Sequence, residues 1–374
     1  MKTTLDKIIT YTLTPFSWIY WGITEIRNKL FECHLLKSVK FKVPVICVGN
    51  LSVGGTGKTP HVEYILSCLQ GEYKIGVVSR GYKRDTKGFV MANSKSTPAT
   101  IGDEPYQIYE KYGRRVRVAV CESRVKGIRN LLEIDPKINL IVLDDAFQHR
   151  YVKPGISVLL MDYNRPVYDD KMLPLGQLRE DSSAMFRADM VVMTKSPKEL
   201  TARDCRLIYK NLDLEAHQKL YFSRISYQGL RGVFPEDMLY DVQLEDLTHD
   251  DSVLLVVGVA NPRPLIRYCC DNYQFKLRIL HFPDHHNFTQ KDLKLISDKF
   301  NTLTGARKII LTTEKDAGRL LHNPYFPTKL KPLTFCVPIR VSDMQSWPDG
   351  EHTFDDHLRV AIEKINRKND KNRN

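Results

Sequence analysis

The sequence predicts an α/β protein: a parallel sheet domain covered by helices, a second, smaller α/β domain after it, and an N-terminal amphipathic helix ahead of both. Three observations predict this. Apolar runs rich in β-branched residues, VPVICVGN, KIGVVSR, RVRVAV, INLIVLDD, ISVLLMD and ADMVVMTK, alternate with helical patterns between about residues 43 and 215. Near-continuous runs of this kind mark strands buried on both faces. The first of them enters a glycine-rich turn, SVGGTGKT, ahead of a helix. Beyond YFSRISYQGLRGVFP a second strand-and-helix series follows, in SVLLVVGVA, FKLRILHFPDHH and KIILTTEKD.

Taken in order, residues 1–40 form the appendage. Charges at Asp6 and Lys7 and the lack of a small-residue cleavage site argue against a secretory leader. Between Ile8 and Glu25 there is no charge, but threonines and Pro15 interrupt the run, so a spanning helix would be short and poor. Thr14 and Pro15 read as an N-cap followed by proline at the first helical position. Phe16, Ile19, Tyr20, Ile23, Ile26 and Leu30 then recur at helical spacing, with Trp18 and Trp21 alongside and Arg27, Lys29, Lys37, Lys40 and Lys42 following. Aromatics, an apolar face and trailing basic residues describe a helix lying in a membrane interface. The competing reading is a helix packed on its own domain.

Residues 41–220 make the larger α/β domain, 221–235 a linker of two short extended segments, and 236–374 the smaller α/β domain, ending in a basic, frayed tail, IEKINRKNDKNRN. The turn at 52–59 supplies Ser52, Val53, Gly54, Gly55, Thr56, Gly57, Lys58 and Thr59 between a strand and a helix. Glycines let successive backbone N–H groups turn inward around phosphate oxygens, the lysine reaches the β- and γ-phosphates, and the Thr hydroxyl serves Mg²⁺. The larger domain is thus P-loop NTPase-like, with a nucleotide as its ligand. Ser52 stands where the common pattern begins with glycine, and Val53 where a deviant version carries an extra lysine.

A nucleotide site also needs an acid at the end of a neighbouring strand. INLIVLDD ends in Asp144 and Asp145, paired carboxylates that would repel one another without a cation between them. Both stand as Mg²⁺-side acids, with no ranking between them. A guanine switch is disfavoured: Asp145 is followed by Ala146, Phe147 and Gln148, and VVMTKSP puts Pro197 where a base-reading aspartate belongs. A kinase acting on a hydroxyl needs a further carboxylate or histidine near the γ-phosphate. IGDEP offers Asp103 and Glu104 before a helix, and FPDHHNF offers Asp284, His285 and His286 after a strand. Each has a plain structural reading too, as helix cap or packed histidine.

The excess of 56 Lys and Arg over 44 Asp and Glu gives a formal charge of +12. It suits a polyanionic partner, whether a phosphorylated substrate, an anionic membrane or nucleic acid, unless it only solvates the surface. No interleaving of aromatic and basic residues supports nucleic acid, so none is expected as a partner. Eight scattered cysteines without C-x-x-C fit reduced thiols and no structural zinc.

Together, VGNLSVGGTGKTP, SRGY, GDEP, LDDAFQHR, LPLGQLRE, FPDHH and TEKDA, in this order behind the N-terminal helix, resemble the tetraacyldisaccharide 4′-kinase family of lipid A biosynthesis, over roughly residues 10–320. The resemblance implies transfer of the ATP γ-phosphate to the 4′-hydroxyl of a tetraacylated glucosamine disaccharide 1-phosphate, forming lipid IVA. It implies two α/β domains joined by a two-stranded linker, with the site in the cleft between them. Carried over by motif, Asp103 is the base and His285 its partner, Lys58 and the loop amides hold ATP, and Thr59 with Asp144 or Asp145 holds Mg²⁺. Arg80, Glu104, His149, Arg150, Arg179 and Glu180 are candidates for binding the acceptor or the developing charge. Asp181 follows Glu180 where relatives have proline, which leaves the role of Glu180 open. Such an enzyme is expected as a monomer on the membrane lipid surface, at the cytoplasmic face of the bacterial inner membrane. Two rivals stand beside it: a soluble P-loop kinase or synthetase acting on a small metabolite, and a membrane-associated nucleotide-binding scaffold.

Overall fold

Each of the six β-branched runs of the larger unit becomes a strand of one sheet. The structure, a computed structural model, describes residues 4–113, 115–348, 350 and 352–371; the first three residues of the N-terminal segment and the last three of the basic tail lie outside that description. The chain opens with α1 (Thr4–Glu32), β1 (Val45–Asn50), α2 (Lys58–Leu69), β2 (Ile75–Ser79), β3 (Val90–Met91), α3 (Pro98–Ile101) and α4 (Asp103–Tyr112). It continues through β4 (Arg117–Val120), α5 (Arg124–Ile134), β5 (Leu140–Asp144), β6 (Ile156–Asp162), β7 (Met190–Thr194), α6 (Ala202–Leu212) and β8 (Lys219–Tyr227). A second series follows: β9 (Arg231–Gly232), β10 (Ser252–Val257), α7 (Arg263–Asn272), β11 (Lys276–His281), α8 (Gln290–Asn301), β12 (Lys308–Thr313), α9 (Glu314–Leu321) and β13 (Thr334–Val337). The chain closes with β14 (Ile339–Trp347) and α10 (Phe354–Lys371).

Nine strands form the larger sheet in the order β14-β8-β7-β6-β1-β5-β2-β4-β3. Its interior pairs are all parallel, and antiparallel pairing occurs only at the two edges, β3 with β4 and β14 with β8. Strand β1 lies centrally with every residue buried, as a strand covered by helices on both faces must. The neighbour of β1 that carries the acid pair is β5, registered Val48 opposite Asp144. The smaller sheet runs β11-β10-β12-β13-β9, parallel except for β9.

Three boundaries differ from the sequence reading. Helix α1 starts ten residues before Thr14 and carries Pro15 inside it; the Thr14 hydroxyl bonds back to the carbonyl of Thr10 at 2.6 Å, so it serves within a turn instead of capping one. The first half of the expected linker is strand β8 of the larger sheet, whose Tyr221 and Phe222 are buried, and only β9 belongs to the smaller sheet. The C-terminal segment returns to the larger sheet, through β14 on β8 and then α10. The supposed frayed tail is helical to Lys371 because Phe354, Leu358 and Ile362 stand at i, i+4 and i+8 and sink into the core beside Val62 and Tyr221.

On α1, Tyr11, Phe16, Trp18, Ile19, Trp21, Ile23 and Ile26 are exposed, while Ser17, Asn28 and Phe31 are buried against the larger unit. Ser17 Oγ donates to the Met172 carbonyl at 3.2 Å, Tyr20 to the Arg179 carbonyl at 3.2 Å and Arg27 to the Gln148 carbonyl at 2.7 Å. The helix is therefore docked by one face and bare on the other. Among the described residues no helix is long and apolar enough to cross a membrane.

Candidate active site

The phosphate loop leaves the carboxyl end of β1 and ends on the first turn of α2. Gly57 adopts φ 83°, a left-handed conformation that a side chain would strain, and stands as the N-cap of α2 with no side-chain cap, which leaves the first N–H groups of the helix for a ligand. Gly54 is left-handed as well, at φ 107°. Asn50 at the end of β1 braces the loop: its amide donates to Thr56 Oγ1 at 2.9 Å, and Lys58 Nζ reaches Asn50 Oδ1 at 3.5 Å. The LPLGQLRE segment runs along the outside, with Val53 N–H donating to the Gln177 carbonyl and Arg179 N–H to that of Leu51.

His61, one turn into α2, was not singled out by the sequence. It is fully buried, with Nδ1 2.7 Å from the Gly57 carbonyl and Nε2 2.7 Å from Ser223 Oγ on β8. Burial pushes its imidazole down to about 4, so the ring is neutral at pH 7. Nδ1–H then donates to Gly57 and Nε2 accepts from Ser223, tying the loop to the strand that leads toward the smaller sheet.

Asp144 and Asp145 end β5 beside this loop. Asp144 is buried; its Oδ2 accepts from Ser79 Oγ at 3.2 Å, and its Oδ1 has no hydrogen-bond partner. Burial, with the charges of Glu104 and Asp145, pushes its carboxyl up to about 7. Asp145, at φ 47°, pairs with Lys58 at 3.7 Å and Arg179 at 3.3 Å. Arg124, buried at the start of α5 and absent from the sequence candidates, donates to the main-chain carbonyls of both aspartates. An orphaned buried carboxylate oxygen at the end of the strand beside β1, with a second carboxylate following it, is a donor set suited to Mg²⁺, which takes one or two carboxylates and completes its shell with phosphate and water.

Asp103 and His285 come from the two sheets' elements, 182 residues apart in sequence, and meet with His285 Nδ1 2.6 Å from Asp103 Oδ2. Asp103 opens α4. His285 sits in the turn after β11 at φ 59°, its own N–H bound to the Gly258 carbonyl, and its ring packs T-shaped with that of Tyr82 from SRGY, centroids 5.7 Å apart. Arg319 of α9 lies against the same carboxylate, Nε 3.0 Å from Oδ1 and Nη2 on Oδ2. Burial alone would raise the Asp103 carboxyl, but the hydrogen bonds from His285 and Arg319 and the guanidinium charge hold it well below the usual carboxylate range. Glu104 pairs with Lys315 at 2.8 Å, whose charge holds its carboxyl below the ordinary value against the opposing effect of burial; Lys58 lowers it too, as it lowers Asp144. The dyad, the loop lysine and the acid pair thus share one electrostatic site.

The remaining candidates separate. Arg179 joins the site through Asp145, and Arg80 is exposed at the carboxyl end of β2. His149 Nε2 accepts from the Arg124 N–H at 3.3 Å; burial and the charges of Arg124, Arg27 and Arg80 push its ring down to about 4. Arg150 holds α1, through the Asn28 carbonyl at 3.0 Å, Glu32 and the Phe31 ring. Glu180 is buried in an ion pair with Arg187. His286 is spent on Asp292 at 2.9 Å and stacks on Phe282.

Comparison with known proteins places these residues among relatives. The family model described as tetraacyldisaccharide-1-P 4′-kinase matches residues 9–360. A tetraacyldisaccharide 4′-kinase of Bacteroides thetaiotaomicron is 45% identical over 353 residues, covering 92% of this chain and 91% of the relative. One from Flavobacterium johnsoniae is 44% identical over 309 residues, covering 82% and 86%. Among solved structures, a crystal structure described as the "apo" form of LpxK from Aquifex aeolicus in complex with ATP superposes with a TM-score of 0.70 at 27% identity, covering 97% of this chain and 99% of that one.

Proposed function

Because this chain belongs to the tetraacyldisaccharide-1-P 4′-kinase family, we propose the following division of labour for its ATP-dependent phosphorylation of the 4′-hydroxyl of tetraacyldisaccharide 1-phosphate, the step that forms lipid IVA in lipid A biosynthesis. The loop amides from Gly54 to Gly57, Val53 N–H being given to the Gln177 carbonyl, and the Lys58 ammonium hold the β- and γ-phosphates of ATP. Thr59 and Asp144, with Asp145 paired to Lys58, would hold Mg²⁺, which would neutralise charge on the phosphates when bound. The observation that carries the reading is the contact between Asp103 and His285 beside Glu104, whose carboxylate feels both His285 and Lys58 and acts in turn on Asp144.

Nδ1–H of His285 donates to Asp103 and orients it. Asp103 accepts the 4′-hydroxyl proton as the sugar oxygen bonds to the γ-phosphorus and the bond to the β,γ-bridging oxygen breaks, releasing ADP. In such a loose transition state the hydroxyl proton leaves late, so a weak, well-placed carboxylate suffices. Arg179 and the exposed Arg80 supply positive charge suited to the acceptor's phosphate. The two sheets correspond to two domains, joined at residues 228–230 and 338, with α4 of one packed on α9 of the other at the dyad.

The exposed aromatic and aliphatic face of α1 supports placement on a lipid surface, where an acceptor with four acyl chains stays; the basic residues trailing it favour anionic headgroups. The cytoplasmic face of the inner membrane, where ATP is available, is the side this reading assigns, with the enzyme as a monomer. The test is an assay of the full chain with radiolabelled ATP, Mg²⁺ and detergent-dispersed tetraacyldisaccharide 1-phosphate. A 4′-phosphorylated lipid formed by the wild type and lost in Asp103→Asn supports this division of labour, and wild-type turnover in that variant removes Asp103 as the base.

A further inference from the structure

Arg319 is buried at the joint between α4 and α9, and all of its guanidinium nitrogens are engaged. Nε bonds Asp103 Oδ1 at 3.0 Å, Nη2 bonds Asp103 Oδ2, and Nη1 bonds Asp316 Oδ1 at 2.9 Å and the Gly258 carbonyl at 3.4 Å. Asp316 is itself fully buried; its Oδ2 accepts the Gly258 N–H at 2.9 Å and the Thr313 hydroxyl at 2.9 Å. Bonds to Gly258 and to the cap of α9 thus fix Asp316 on one side, and its other oxygen holds the arginine. Gly318, next to Arg319, lets α9 approach this closely: a Cβ there would meet the Tyr106 ring of α4 at 3.1 Å.

A carboxylate offers about four lone-pair directions. Among the described residues, Asp103 Oδ2 receives Arg319 and His285, and Oδ1 receives Arg319 Nε alone. One direction, on Oδ1, stays open. We propose that Arg319, held by Asp316, is a positioning residue: it fixes the open lone pair of Asp103 Oδ1 as the one that takes the substrate's hydroxyl proton, and keeps the carboxylate charged until it does. This rests on Asp103 being the base. Only a planar guanidinium can address both oxygens side-on while its third nitrogen is anchored elsewhere; an ammonium supplies the charge without the fork.

The groups facing Asp103 are His285 and Asp284 from the turn after β11, Arg319, Asp316 and Lys315 from α9, and Glu104 on its own helix. Of these, Arg319 and His285 bond to it directly. Removing the arginine thus frees the carboxylate to rotate and leaves burial, which favours the protonated form, less opposed.

The experiment measures kcat and KM against pH on the full-length enzyme in mixed micelles with ATP and tetraacyldisaccharide 1-phosphate, for wild type, Arg319→Met, Arg319→Lys, Asp316→Asn and Asp103→Asn. In Arg319→Met we expect kcat to fall about tenfold or more, the acidic limb of kcat to rise by about a pH unit, and KM for ATP to stay within about threefold. Arg319→Lys keeps the acidic limb near wild type yet loses kcat, and Asp316→Asn lies between. An Arg319→Met enzyme with wild-type kcat and an unmoved acidic limb overturns the proposal. If that variant does not fold, unchanged kcat in both Arg319→Lys and Asp316→Asn overturns it equally. Wild-type turnover in Asp103→Asn would instead remove the base assignment itself, so the two failures are told apart.

Discussion

Asp103 is the residue on which two independent consequences meet. As the base it governs turnover: Asp103→Asn should lower kcat by about 10²–10⁴-fold, with ATP binding by calorimetry nearly unchanged, because the side chain is bonded to His285 and Arg319 and not to the phosphate loop. As a carboxylate held below its ordinary range, it contributes stability that is present above the unfolded value, about 3.9, and lost as pH falls through the folded one. Thermal unfolding should therefore separate wild type from Asp103→Asn most at neutral pH, with the gap narrowing below about pH 4. A gap independent of pH would show that the ion pair is not the source. His61 tests a quieter role. His61→Ala leaves the Gly57 carbonyl and Ser223 without their partner, and two hydrogen bonds of ordinary strength translate into about a tenfold rise in the Kd for ATP.

At the scale of elements, α10 and α1 are both amphipathic and end in opposite situations. Helix α10 buries Phe354, Leu358 and Ile362 completely, the first against Tyr64 and Tyr221. Leu358→Ala should cost about 2–5 kcal/mol in urea unfolding without changing the KM for either substrate, since the polar and ring contacts of the helix go to Tyr64, Cys68, Tyr221 and the Lys42 carbonyl and not to the phosphate loop. Helix α1 keeps its aromatic face outside. Phe16→Glu with Ile23→Glu should leave the fold and solution ATP binding intact while cutting sedimentation with anionic vesicles by about tenfold or more. Equal sedimentation would mean that this face does not meet lipid. Both helices have apolar residues at helical spacing, and that spacing reports a face to be covered without saying by what.

For the whole molecule, the active site depends on how α4 of the larger unit meets α9 of the smaller one. Besides Arg319 with Asp103, the joint is held by Lys315 with Glu104, by the Tyr106 hydroxyl 2.6 Å from His322, and by Lys111, which bridges Glu63 of α2 and Glu314 of α9 at 2.7 Å each. Lys111 is largely buried between two carboxylates, so removing it leaves like charges facing one another. Lys111→Met should lower the unfolding midpoint by several degrees and depress kcat together with stability, whereas Asp103→Asn depresses kcat far beyond its effect on stability. The pair of variants distinguishes a residue that holds the joint from one that works in it.

The sequence by itself determined the chemistry that depends on near neighbours. The glycines and Lys58 of the phosphate loop, the acids closing an apolar strand, and the alternation of strands and helices are all local, because backbone conformation and strand burial are decided within a few residues. Asp103 and His285 could be named from their motifs, but their meeting, and the fork of Arg319 reaching 216 residues back to Asp103, leave no periodic signal. Neither do the roles of Asp316, Arg124 and His61, or the return of β14 and α10 to the larger sheet. Only the tertiary structure decided those, since a buried charge or an apolar helix face must find its partner wherever the chain brings one, however distant in sequence.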